Sequence, residues 1–63
     1  MLRFEHTGHE GWINVVYAVN GDESCIAQLI KQNGKWGVQS LDFRIENTAW
    51  LRQIADELDR LNK

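Results

Sequence analysis

The chain is 63 residues long, 43% apolar and 25% charged, with seven basic against nine acidic residues and a net charge of −2. That length holds one domain, residues 1–63, and excludes multidomain enzymes and repeat arrays, while the apolar content excludes a disordered chain. No run of about 18 apolar residues is present to cross a bilayer, and no charged start with an apolar stretch behind it to act as a secretory leader.

Glycine and asparagine punctuate the chain, which has no proline. Leu2 to His6 forms a short first strand, ended by the turn His6-Thr7-Gly8-His9-Glu10-Gly11. Residues 12–19 alternate as a second strand, with Ile13, Val15, Tyr17 and Val19 on one face and the mixed set Trp12, Asn14, Val16 and Ala18 on the other. Asn20-Gly21-Asp22-Glu23 breaks the pattern, and a third strand is expected over 24–31. Asn33-Gly34 is the strongest local signal, because a two-residue type I′ loop needs positive φ at both positions. It sets Gln32 opposite Lys35, Lys31 opposite Trp36, Leu29 opposite Val38 and Ile26 opposite Leu41. A fourth strand is expected over 35–44, with Ile26, Ile30, Leu41 and Phe43 on one face and Leu29, Trp36 and Val38 on the other.

The period then changes. Leu51, Ile54, Leu58 and Leu61 recur at helical spacing, widened by Trp50 and Ala55, and Asn47 or Thr48 can cap a helix over 48–61. Arg52–Asp56, Asp56–Arg60 and Asp59–Lys63 are i,i+4 pairs on its outer side. The fold class is therefore α+β, a four-stranded antiparallel β-meander with one C-terminal helix packed on one face (ββββα).

Catalytic and metal chemistry find little support. His6, His9 and Glu10, with Cys25 as a fourth ligand, are the metal candidates, yet His-x-x-His in a glycine-flanked turn is better read as a polar loop, and no metal or cofactor is expected. Cys25 sits in a predicted strand among Ile26, Ala27 and Leu29, where a free cysteine acts as a small apolar residue, and a lone thiol suits the cytoplasm. The acidic pairs Asp22–Glu23 and Asp56–Glu57 read as solvated, and no glycine-rich phosphate loop is present. An enzyme is not expected.

Four strands followed by a helix opening near a tryptophan resemble, in layout, the single-stranded-DNA-binding transcriptional coactivators. The corresponding stretch is 37–61, with Leu41 closing the strand region and Trp50, Ile54 and Leu58 on the helix. The resemblance implies dimers paired through helix and sheet, and a nucleic-acid role. Against strong phosphate binding, basic residues do not cluster: residues 1–44 carry Arg3, Lys31, Lys35 and Arg44 among five acidic groups.

A chain this small buries only about 60% of its unfolded surface, so a partner chain would support it. The expectation is a small non-catalytic interaction or regulatory module that binds a protein and forms a homodimer. Its contact surface is expected on the sheet face away from the helix, at Trp12, Leu29, Trp36 and Val38, with Lys31 and Arg44 at the rim. The alternative is single-stranded nucleic acid held on the same sheet by aromatic stacking and basic side chains.

Overall fold

Two Asn-Gly turns set the middle of the sheet. Asn20 (φ 51°) and Gly21 (φ 87°) join one pair of strands, and Asn33 (φ 53°) and Gly34 (φ 80°) join the next. Both positions of each turn are left-handed, the conformation that Asn and Gly adopt at least cost and that matches the twist of the flanking strands. A computed structural model, describing residues 2–40 and 45–63, has β1 (Leu2–His6), β2 (Trp12–Val19), β3 (Asp22–Gln32), β4 (Lys35–Ser40) and helix α1 (Thr48–Leu61). The strands form one antiparallel sheet in the order β1-β2-β3-β4, so the ββββα architecture is as expected. β3 starts two residues earlier than the sequence suggested. Val19 pairs directly with Asp22, so the break is the two-residue turn alone. The expected continuation of β4 through Leu41, Phe43 and Arg44 lies outside the described residues.

The expected register across Asn33-Gly34 is found: Gln32 faces Lys35, Lys31 faces Trp36 and Leu29 faces Val38. The expected division of faces holds for Leu29, Trp36 and Val38 against Ile30, but Ile26 does not join Ile30. Between β2 and β3 the register shifts, with Val15 opposite Ala27 but Val16 opposite Cys25. Ile26 is the extra residue of a β-bulge, and a bulge breaks the strict alternation of side chains. Ile26 and its neighbour Ala27 therefore both enter the core, at 4% and 0% exposure. Leu29, which belongs with Ala27 by alternation, is on that same side and wholly buried.

The core comprises Leu2, Ile13, Val15, Ile26, Ala27, Leu29 and Ile54, with Phe4, Tyr17, Trp36, Ile45, Trp50, Leu58 and Leu61 packed around it. Fully burying an aliphatic side chain of this kind contributes about 1.5–3 kcal/mol. Helix α1 begins where the Asn47 carboxamide oxygen accepts from the backbone N–H groups of Ala49 (3.0 Å) and Trp50 (3.2 Å), which satisfies two otherwise orphaned donors. Trp50 packs on Tyr17 with ring centroids 4.4 Å apart. The buried stripe thus runs through Trp50, Ile54, Leu58 and Leu61, while Leu51, expected in it, is 45% exposed. Arg60 forks onto Glu57 at 2.6 and 2.8 Å in place of the expected pairing with Asp56. Among the described residues no helix is long and apolar enough to cross a membrane.

Candidate functional site

The face turned away from α1 presents cross-strand rows that follow from the register. One end carries Trp12, Ile30 and Gly37 side by side; Glu5, Asn14, Gln28 and Gln39 form the middle row; Arg3, Val16 and Cys25 form the next. This face is mostly polar, with two narrow apolar strips separated by carboxamides.

The turn before β2 holds Trp12 in place. Gly11 has φ +80°, and a Cβ there would meet Lys31 Cβ at 3.3 Å, so only glycine lets the chain pass β3 this closely. The Lys31 N–H then donates to Gly11 O at 2.9 Å, and the Trp12 N–H donates to His9 O at 3.2 Å. The Thr7 hydroxyl oxygen accepts from the His9 N–H at 3.2 Å. The His9 ring lies 6.0 Å from that of Trp12. Trp12 remains 39% exposed, and its indole N–H donates to Asn14 Oδ1 at 3.2 Å. The same oxygen accepts from Gln28 Nε2 at 3.3 Å. One acceptor therefore ties the aromatic platform to the carboxamide row.

Gly37 leaves a gap beside Ile30. A Cβ built on it meets nothing within 4 Å, and a concavity of about 340 Å³ opens there along the β4 edge, lined by Ile30, Gln32, Lys35, Gly37 and Gln39 of the open face and also by Trp36 and Val38. At the opposite end, Val16 is buried to 7% exposure although no helix covers it. Arg3, directly opposite Val16, reaches across β2 to Glu23 on β3 at 2.8 Å and also holds Glu5 at 2.7 Å. The hydrogen bond from Arg3, reinforced by its charge, holds the Glu23 carboxyl below its ordinary pKa. Arg3 is raised in turn, first by its hydrogen bond to Glu23 and then by that to Glu5. The bridge is solvent-exposed, so its strength depends on ionic screening.

The residues expected to share one contact surface do not do so. Trp12 is on the open face. Leu29 is wholly buried under the helix-covered side and belongs to no surface. Trp36 packs against the core. Val38 and Lys31, opposite Leu29 and Trp36 respectively, are on the helix-covered side at exposed positions. The physical reason is that Ile26 is a bulge residue, so using it to assign the faces of β3 inverts them. Arg44 lies outside the described residues. Ile30, Gly37, Asn14, Gln28 and Gln39 complete the open face and were missed. The signal that finds them is the pairing of Trp12 with Ile30, which rests on long-range register.

The metal candidates are not assembled. His6, opposite Ile13, is on the helix-covered side, whereas Cys25, opposite Val16, is on the open face. His9, beside Trp12, is four residues along β2 from the Cys25 row, about 13 Å at the rise of an extended strand. Among the described residues no group of three or more His, Cys, Asp or Glu comes together to hold a metal. The Cys25 thiol donates to the Ala27 carbonyl oxygen at 3.3 Å.

No family model, no curated protein and no solved structure matches this chain. The likeness to the single-stranded-DNA-binding coactivators thus stays one of element order.

Proposed function

We propose that this protein is a small non-catalytic cytoplasmic module that binds a partner protein on the open face of its sheet and works as a homodimer. The observation that carries the proposal is the hollow at Gly37, beside Ile30, with the exposed Trp12 on the far side of Ile30 and the carboxamides of Gln32 and Gln39 on its border. An apolar side chain fits such a hollow, while carboxamides on its border can pair with backbone amides of the same ligand. An aromatic anchor beside a small cavity with a polar rim is the usual anatomy of a protein contact. Separation of the thiol from both histidines supports a role without nucleophilic chemistry.

Single-stranded nucleic acid is the competing ligand. Stacking on Trp12 suits it, but of the cations on this face Arg3 is held by two carboxylates and Lys35 stands at one end. Phosphate tracking needs more positive charge than that.

Photo-crosslinking in lysate of the native host separates the two ligands. Crosslinker is placed at Trp12 or Gln39 on the open face and, as control, at Asp59 on the exposed side of α1. Protein adducts of defined mass from the open face alone, insensitive to nuclease, are expected. Adducts abolished by nuclease would transfer the function to nucleic acid, and equal labelling from Asp59 would remove the open face as the site.

A further inference from the structure

The two edges of the sheet are guarded differently. β1 carries Arg3 and Glu5 in its five residues, whereas β4 has no charge between Trp36 and Ser40. Natural sheets normally blunt an edge with charge, proline or a bulge. In a two-residue hairpin the residues flanking the turn are hydrogen-bonded to each other, so Lys35, Gly37 and Gln39 direct their backbone groups to β3. Trp36, Val38 and Ser40 direct theirs outward. At Trp36 those groups are occupied: its N–H donates to Asn62 Oδ1 at 2.8 Å, and its carbonyl accepts from Asn62 Nδ2 at 3.1 Å. The carboxamide at the end of α1 thus stands where a neighbouring strand would bond. Among the described residues none does the same for Val38.

We infer that β4 pairs antiparallel with β4 of a second copy of this chain, about a two-fold axis at Gln39, joining two four-stranded sheets into one. Resting on the proposal of a homodimer, this inference names its interface. Outward-directed residues must face one another, and three symmetric registers within β4 engage Val38. Val38 against Val38 or against Trp36 of the partner subunit would draw on the Trp36 groups that Asn62 holds. Val38 against Ser40 of the partner subunit avoids those groups, and symmetry repeats the pair.

The chemistry favours a second copy as the occupant. Symmetric pairing about Gln39 keeps the two Lys35 ammonium groups eight residues apart along the strands, about 27 Å at 3.4 Å per residue, well beyond a Debye length of about 8 Å. On the helix side, Val38 of each copy becomes a diagonal neighbour of its equivalent, about 7–8 Å away. Leu51, Leu58 and Asn62 share one side of α1 by helical period, and Asn62 marks it as the side toward β4. Val38, one of the exposed large apolar residues at 44%, stands on this edge. On the open face, Gln39 extends the carboxamide row to the partner subunit's Gln39.

Sedimentation equilibrium of the full chain tests the pairing. Twice the 7.3 kDa chain mass is expected at concentrations on the order of 100 µM. Val38→Lys puts two lysines on diagonal positions whose backbones are about 7–8 Å apart across the axis and is expected to raise the dissociation constant at least about tenfold, whereas Asp59→Lys on the exposed side of α1 leaves it unchanged. In case the variant fails to fold, hydrogen exchange of the unmodified protein gives a second readout: the Val38 amide is expected to be more protected at high than at low concentration. A monomer throughout, a Val38→Lys dimer of unchanged affinity, or Val38 exchange independent of concentration would overturn the inference. Crosslinking from Trp12 is read separately, so loss of edge pairing leaves the partner-binding proposal standing.

Discussion

The two faces of this sheet come from the same four strands and differ in what their residues do. Under α1, Ile13, Val15, Ala27 and Leu29 are 0–1% exposed and hold the fold together. On the other face, Asn14 and Gln28 occupy positions next to them in sequence and, with Gln39 in the same row, remain accessible to water. The covered face is one continuous apolar cluster, whereas the open face divides its apolar groups into strips with hydrogen-bonding side chains between. Stability is concentrated on one side, which leaves the residues of the other free of that packing constraint.

Substitutions sharpen this contrast in a graded way. Leu29→Ala is expected to cost about 2–5 kcal/mol, a large share of the stability of so small a domain, whereas Gln39→Ala stays within about 0.5 kcal/mol. Urea unfolding followed by tryptophan fluorescence checks both, and equal costs would break the distinction between the faces. Loss of the cap through Asn47→Ala is expected to cost about 1 kcal/mol, read from the same transition, because the covered face depends on α1 starting in place. A Cβ at Gly37 meets nothing within 4 Å, so Gly37→Val narrows the hollow and stability is expected to hold or rise by up to about 1 kcal/mol. Its effect falls on recognition: crosslinking from Trp12 should disappear.

The smallest effect concerns acid. Glu23 and Glu57 are held below the ordinary carboxylate range, each first by an arginine hydrogen bond, from Arg3 and Arg60. Depressed folded pKa values stabilise the fold above the unfolded Glu value of about 4.3. That contribution fades as pH falls through the folded values. Thermal melts through this acid range should show a shallower decline for Glu23→Gln than for the parent chain, and identical slopes would mean the Arg3 bridge is too screened to matter.

Element order, the Asn33-Gly34 hairpin and the helix were legible because each is written locally, in turn chemistry or in a change of period, whereas the Asn20-Gly21 turn was read two residues too long because Asp22 and Glu23 look like turn residues. The facing of β3 was not legible. Its apolar residues at 26, 29 and 30 fit two alternations equally well, and the shift at Val15–Val16 that decides between them is a property of two strands together. Leu51 was placed in the buried stripe beside Trp50 for a related reason: both fit a helical stripe, and that Trp50 alone is covered depends on Tyr17 meeting it. For the candidate site, Trp12 was found as a surface aromatic, while Gly37 was passed over because an absent side chain has no apolar signature.

The extra residue at Ile26 acts as a half-period slip in the wave of side chains along β3. Were β3 to alternate regularly with all its residues kept, Glu23 would be in phase with Ala27, pointing beneath the sheet and out of reach of Arg3. A single-residue deletion well away from the bulge inverts everything on one side of it. Excising Ile26 instead leaves both halves in phase, so the sheet is not turned inside out and what is lost is one buried side chain and the local bend.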